Sequence, residues 1–384
     1  MRVVGFSLIA AFATGALARP ALVERAGTQK LVTYVQTFHT TDNQPLSLLP
    51  LRDDDSGVTH VNLAALHVNG PGQITLNDNN PNSTFYDQVW EDVEQLQSSG
   101  IKVLIMIGGA AQGSYQRLCG SSTPAVIDES MYGPLRDTLR YHNIDGVDLD
   151  IEETVDISCA HVLLNRFDQD FGSNFLLTMA PVASNLIPGG PGLSGFDYVQ
   201  LDSQATSPTR PNGKLVSWYN GQFYNGWGDA SSAVNYDSII SSGNWASSRI
   251  VLGVLDNSND GGSGFVSLPT LEQTITNIKT LHGDFGGVVS WEYWDAGGRD
   301  NVSNYDWIKN VGDALFRNQI DNKATLIPVL ETADTPQAPW PVSQDVLVAA
   351  GAEWMQAVWA LNTTSGNLDL AAKKLHLDLG EGVL

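Results

Sequence analysis

Asp145-Gly146-Val147-Asp148-Leu149-Asp150-Ile151-Glu152 is the stretch that decides both fold and chemistry. Read as a strand, its side chains alternate faces, so Asp148, Asp150 and Glu152 share one face. Val147, Leu149 and Ile151 share the other, where an apolar layer would cover them. Three carboxylates on one face of a half-buried strand repel one another, and desolvation disfavours their ionised forms. Such a row holds at least one carboxyl protonated near neutral pH, which is what a general acid requires. An exposed acidic strand would not carry this apolar face. A calcium loop would place Asp or Asn at alternate positions, Gly at the sixth and Glu late, and this stretch is too apolar for that.

Working outward, strand-like runs occur at 31–37, 60–67, 103–107, 146–151, 176–180, 215–222, 250–255 and 287–293. Helical patterns lie between most of them, at 85–98, 132–141, 160–171, 236–242 and 268–281. Strand alternating with helix predicts a parallel α/β protein. Eight strands in a segment of about 250–300 residues match a (β/α)8 TIM barrel. An open doubly wound sheet would want a glycine-rich phosphate fingerprint after the first strand, and none follows it. Loops 108–113, 220–228 and 256–264 are polar and glycine-rich, and in a barrel they line the C-terminal face. Asp256-Asn-Ser-Asn-Asp260-Gly261 opens like a calcium loop, but its twelfth position is Ser267 rather than Glu. It therefore reads as a solvated loop. The 7 His residues are scattered, so neither a metal site nor a cofactor is expected. The seventh and eighth strands carry no long insertion between them, which predicts a shallow, open cleft.

The chain of 384 residues is 42% hydrophobic, enough for a large core plus a small appendage. Its 20 Lys and Arg against 42 Asp and Glu give a net charge of −22. That argues against a nucleic-acid partner, which needs a basic surface, and it suits a neutral ligand such as a sugar. Residues 1–18 read as a signal peptide, with Arg2, an apolar run and Ala16-Leu-Ala18. Residues 19–27 read as a pro-segment, 28–320 as the barrel, 321–342 as a proline-bearing linker, and 343–384 as a C-terminal helical extension with Trp354 and Trp359. The leader is too short to span a membrane, so a secreted, extracellular protein is expected, a monomer by default. Asn82, Asn301 and Asn362 begin glycosylation sequons. Cys119 and Cys159 are the 2 cysteines. One disulfide is the default in an oxidising compartment, and two buried thiols are the alternative.

The acidic stretch resembles the DGxDxDxE signature of glycoside hydrolase family 18. Met106-Ile-Gly-Gly109, Leu177-Thr-Met-Ala-Pro181, Gln222-Phe-Tyr224-Asn225 and Gly286-Gly-Val-Val-Ser-Trp291 resemble further strand motifs of that family, in the same order. Within it, Tyr34-Val-Gln-Thr-Phe-His39, Ser47-Leu-Leu-Pro-Leu51 and the run from Ser217 to Tyr224 look most like secreted fungal endo-β-N-acetylglucosaminidases. Met106 stands where many chitinases have Ser.

The resemblance implies substrate-assisted hydrolysis, an exception to the two-carboxylate scheme. Glu152 would be the acid and then the base, and Asp150 would hold the substrate's acetamido N–H. Asp148 would share a proton with Asp150 and couple their titrations, while Asp145 would be structural. Tyr224 would align the acetamido oxygen, Trp291 would floor the sugar, and Gln222 and Asn225 would bond it. Trp227, Tyr293 and Trp294 are stacking candidates or simple packing. Neighbouring strands would bring the Cys119 and Cys159 loops together. The implied substrate is the core of an N-linked glycan, with a chitin oligosaccharide as the alternative. A non-catalytic lectin is the third reading, opposed by the presence of Glu152, Asp150 and Tyr224.

Overall fold

Apolar residues at every second position of the predicted strands bury against helices, and this closes the sheet on itself. The structure, a computed structural model, describes residues 29–298, 302–316 and 372–375. Its strands are β1 (Lys30–Val35), β2 (His60–Gly70), β3 (Gln73–Leu76), β4 (Lys102–Gly108), β5 (Gly146–Asp150), β6 (Leu176–Met179), β7 (Trp218–Gln222), β8 (Ile250–Leu255) and β9 (Gly287–Trp291). All but β3 run parallel in the order β1-β2-β4-β5-β6-β7-β8-β9, and β9 pairs back with β1. This is the expected (β/α)8 barrel.

The exception is β3, which the sequence pattern does not predict. It folds back antiparallel on β2, with Gly70 opposite Gln73. Pro71 and Gly72 make the two-residue turn, with Gly72 at φ +70°.

The helices are α1 (Pro50–Asp53), α2 (Asp87–Ser98), α3 (Ser114–Cys119), α4 (Glu129–Tyr141), α5 (Ile157–Phe171), α6 (Tyr198–Gln204), α7 (Ala233–Gly243), α8 (Leu268–Leu281) and α9 (Asn304–Phe316). The five expected helices are α2, α4, α5, α7 and α8. Asp128 and Asp156 cap α4 and α5 by accepting from the backbone N–H of Ser130 and Ser158. The short α1, α3 and α6 span too few residues to show a helical period, and Asp197 caps α6 by accepting from Gln200 N–H.

Two apolar layers result. Val147, Leu149 and Ile151 join the layer between sheet and helices, with Leu163 and Phe167 of α5. Val32, Tyr34, Met106, Trp218, Val251 and Val289 fill the barrel interior. The acidic row of β5 therefore points into the barrel, as its alternation predicts. Burying each outer side chain is worth roughly 1.5–3 kcal/mol, which holds β5 in register despite the charge row.

Among the described residues no helix is long and apolar enough to cross a membrane. The chain divides into two compact units, residues 1–317 and 318–384. In the second unit, 372–375 form one helical turn, in which Leu375 N–H donates to Ala372 O at 3.1 Å. The expected leader, pro-segment and linker, Asn301 and Asn362, and the remainder of the helical extension lie outside the described residues.

Candidate active site

The strand β5 sits between β4 and β6, with Met106 level with Asp148 and Gly108 level with Asp150. Asp148 is the deepest of the three acids and wholly buried. Tyr34 Oη (2.6 Å), Asn220 Nδ2 (2.9 Å) and the Thr178 hydroxyl, from three other strands, donate to it. Burial pushes its pKa up, and the three donors pull it part of the way back.

Asp150 is buried one step nearer the mouth. Its pKa stands well above the usual carboxylate range. Burial is the main cause, followed by the charges of Glu152 and Asp148 and a hydrogen bond with Glu152. Asp150 thus bonds toward Glu152, while Asp148 acts on it through its charge. Gln222 Nε2 donates to Asp150 Oδ1 and Glu152 Oε1, each at 3.2 Å, and to Ala180 O at 2.9 Å. One amide nitrogen therefore clasps both carboxyls side by side, too close together to flank a water as an inverting pair does. Glu152 is half-buried at the barrel mouth.

The glycine pair ending β4 is required by this crowding. Gly108 has φ +95°, and a Cβ there would lie 2.4 Å from Asp150 O. Gly109 has φ +82°, donates its N–H to Asp150 O at 2.9 Å, and lets the backbone pass under the carboxyl.

Tyr224 and Trp291 line one pocket with Asp150, Gln222, Met106 and Tyr34. The Tyr224 phenol is pushed far up by burial and then by the charges of Asp150 and Glu152, so it remains a neutral donor. Trp291 is half-buried at the end of β9, its ring 5.4 Å from that of Tyr34. Asn225 is exposed just after the end of β7. Its side-chain oxygen accepts from the N–H of Gly262 (2.8 Å) and Ser263 (3.4 Å), bracing the next loop. Tyr293 is buried in the outer core and offers no stacking face, whereas Trp227 and Trp294 are half-buried. Asn82 is exposed, with Oδ1 2.8 Å from His142 Nε2.

Several contributors are not evident from the sequence pattern. Asn220 lies two residues before Gln222 on the same strand, so the alternation that places Gln222 inside also places Asn220 there. Glu153 faces the other way from Glu152 and accepts from the N–H of Gly113 (3.0 Å), Tyr115 (2.8 Å) and Gln116 (3.4 Å), capping α3. The far end of α3 is tied by a disulfide between Cys119 and Cys159, with Cα atoms 5.5 Å apart. The alternative of two free thiols is thereby set aside. Glu292, after β9, accepts from Gln36 N (2.7 Å), Thr37 N (2.9 Å) and Thr37 Oγ1 (2.7 Å).

The loop after β8 corrects another expectation. Its sequence reads as solvated, yet Asp256 is fully buried, and Asp260 and Asp295 are half-buried beside it. Burial, and then the charge of Asp260, push Asp256 well above the carboxylate range. Burial, and then Asp295, push Asp260 up to about 7.

Residues 30–254 match Glycosyl hydrolases family 18. The chitinase ChiC of Aspergillus fumigatus superposes with a TM-score of 0.65 at 40% identity, covering 70% of this chain and 92% of that one. A fungal endo-β-N-acetylglucosaminidase of the same family superposes with a TM-score of 0.67 at 34% identity, covering 74% and 98%. Chitinase 2 of Rhizopus oligosporus is 30% identical over 55% of this chain, and the match spans only 38% of that protein.

Proposed function

The chain belongs to glycosyl hydrolase family 18, and from that premise we propose that it is a secreted endo-β-N-acetylglucosaminidase. It cuts the GlcNAcβ1-4GlcNAc core of N-linked glycans with retention of configuration. The observation that carries the chemistry is the Asp150–Glu152 pair clasped by Gln222, with Asp150 and Gln222 lining one pocket with Tyr224 and Trp291.

In this reading Glu152 gives its proton to the glycosidic oxygen as the bond to the anomeric carbon breaks. The sugar's own acetamido oxygen bonds that carbon, forming an oxazolinium ion. Asp150, turned toward the acetamido N–H, balances the charge that develops there, a service worth more in a buried site than in water. Tyr224 donates its hydroxyl to the acetamido oxygen and holds it in line for attack. Trp291 supplies an apolar floor. Glu152, now a carboxylate, takes a proton from water as the water opens the ring. Gln222 keeps the two carboxyls together throughout, and the donors on Asp148 fix the base of the row.

The choice of an N-glycan over a chitin chain is supported by the resemblance of the runs Tyr34–His39, Ser47–Leu51 and Ser217–Tyr224 to fungal endo-β-N-acetylglucosaminidases. The family neighbour that acts as a fungal endo-β-N-acetylglucosaminidase, matched over nearly its whole length, supports the same choice. Secretion is supported by the leader-like N-terminus and the disulfide, and Asn82, Asn301 and Asn362 are its glycosylation sites.

Paired digestions test the substrate. With a high-mannose glycoprotein in one tube and chitin oligosaccharides in the other, the expected result is loss of glycan mass leaving one GlcNAc on the protein. Cleavage of the oligosaccharides alone would make the protein a chitinase. Binding without cleavage in both tubes would make it a lectin.

A further inference from the structure

Three aspartates converge beside the catalytic row without belonging to it. Asp256 follows β8, Asp260 lies four residues further along the same loop, and Asp295 lies beyond β9. One oxygen from each lies within 4.8 Å of the others. Oxygens so spaced can ligate a single ion at about 2.3–2.6 Å.

Independent of that convergence, Asp256 is 0% exposed, and no well-formed hydrogen bond reaches either of its oxygens from outside the cluster; within it, Asp260 bears on both Asp256 and Asp295. The nearby Ser290 hydroxyl eases its burial but is engaged with Thr33 Oγ1 at 2.9 Å. Asp295 Oδ1 is likewise buried and unpartnered. Among the described residues no ion pair includes any of the three. Asp148 and Glu292 are comparably buried, and each takes three donors. A buried carboxylate left without such partners is costly, and this one is aimed at two others.

We propose that Asp256, Asp260 and Asp295 form a binding site for a hard divalent cation, calcium in the first instance. The ligands are all carboxylate oxygen, with no His or Cys, which selects calcium or magnesium over zinc or copper. Water completes the shell.

The site sits where an ion would steady the catalytic pocket. Asp256 N–H donates to Trp291 O at 2.9 Å. The same loop reaches Asn225, next to Tyr224, through Gly262 and Ser263. An ion at the aspartates clamps the loop that braces both Tyr224 and Trp291. The three residues are positioning residues and touch no reacting atom.

The test is thermal unfolding of EDTA-treated full-length protein at constant ionic strength, with CaCl2 titrated in, paired with calorimetric titration of calcium. The wild type is expected to gain melting temperature in step with the logarithm of calcium concentration and to show saturable binding. Asp256→Asn and Asp260→Asn should lose both responses. Asp256→Asn should melt at or above the metal-free wild type, because it removes a buried anion, so its lost response is not misfolding. The surface variant Asp137→Asn should respond as wild type does. No response to Ca2+, Mg2+ or Mn2+ up to about 10 mM, above the weak end of extracellular calcium sites, would overturn the proposal. So would an equal response in all variants, which would mark mere screening of the net charge of −22.

Discussion

Two clusters of buried carboxylates stand side by side in this barrel, one on β5 and one on the loops after β8 and β9. In the first, neutral donors from three other strands meet Asp148, and a glutamine clasps Asp150 to Glu152. In the second, Asp256 is equally buried but has no such donors. A satisfied row can hold a single proton in a chosen place, which is what acid catalysis needs. An unsatisfied row stays buried only by taking up protons or a cation. The same residue type at the same depth thus serves different ends, and the donor set distinguishes them.

The sharpest way to break the comparison is at Glu152. Glu152→Gln should lower kcat by about 10²–10⁴-fold, the range for removing a general acid, with sugar affinity kept in a binding assay. Turnover like wild type would remove the functional difference between the clusters. In the same row Asp150→Asn should hydrolyse slowly yet accept preformed sugar oxazoline for transfer, read by mass spectrometry of the product.

A smaller effect probes the frame around the row. Cys119→Ser with Cys159→Ser should cost about 2–4 kcal/mol by denaturant unfolding, because the bridge closes a long loop. Activity should fall less than stability, since Glu153 still caps α3.

Next comes Asn220→Ala, which strips one donor from Asp148. Leaving a buried carboxylate short of a partner costs about 1–3 kcal/mol, and the pH profile of kcat should shift with it. An unchanged profile would mean that the donors on Asp148 do not tune the row.

The smallest effect belongs to the second cluster. The folded-state pKa of Asp260, about 7, lies above its ordinary value of 3.8. Its contribution is therefore fully present below pH 3.8 and is lost as pH rises through about 7. Asp256 and Asp295 are raised in the same direction. Metal-free protein should lose melting temperature between about pH 4 and 7, and Asp260→Asn should flatten that slope. A slope unchanged in the variant would show that Asp260 is not the titrating group.

The barrel and the β5 row are legible in the sequence because both rest on strict alternation. Val147, Leu149 and Ile151 against Asp148, Asp150 and Glu152 need no neighbour to be read. The hairpin strand β3 is hidden because Pro71-Gly72 looks like a strand end rather than a turn into a partner. Helix α3 is hidden because Glu153 and the disulfide hold it from outside, and six residues show no helical period. Within the site, Tyr34, Thr178 and Asn220 come from strands far apart in sequence, and their meeting at Asp148 is a product of barrel closure. Asp256 misleads because a loop rich in Asn, Asp and Gly looks solvated, and only the packing of β8 against β9 turns its first carboxylate inward.

The most direct measurement is proton NMR of the first minutes of cleavage, on whichever GlcNAcβ1-4GlcNAc substrate is cut. Catalysis by Glu152 through the acetamido group predicts the β-anomer as the first product, with the α-anomer growing only by mutarotation, and product from Glu152→Gln slower by about 10²–10⁴-fold. The α-anomer appearing first would contradict the assignment of the Asp150–Glu152 pair.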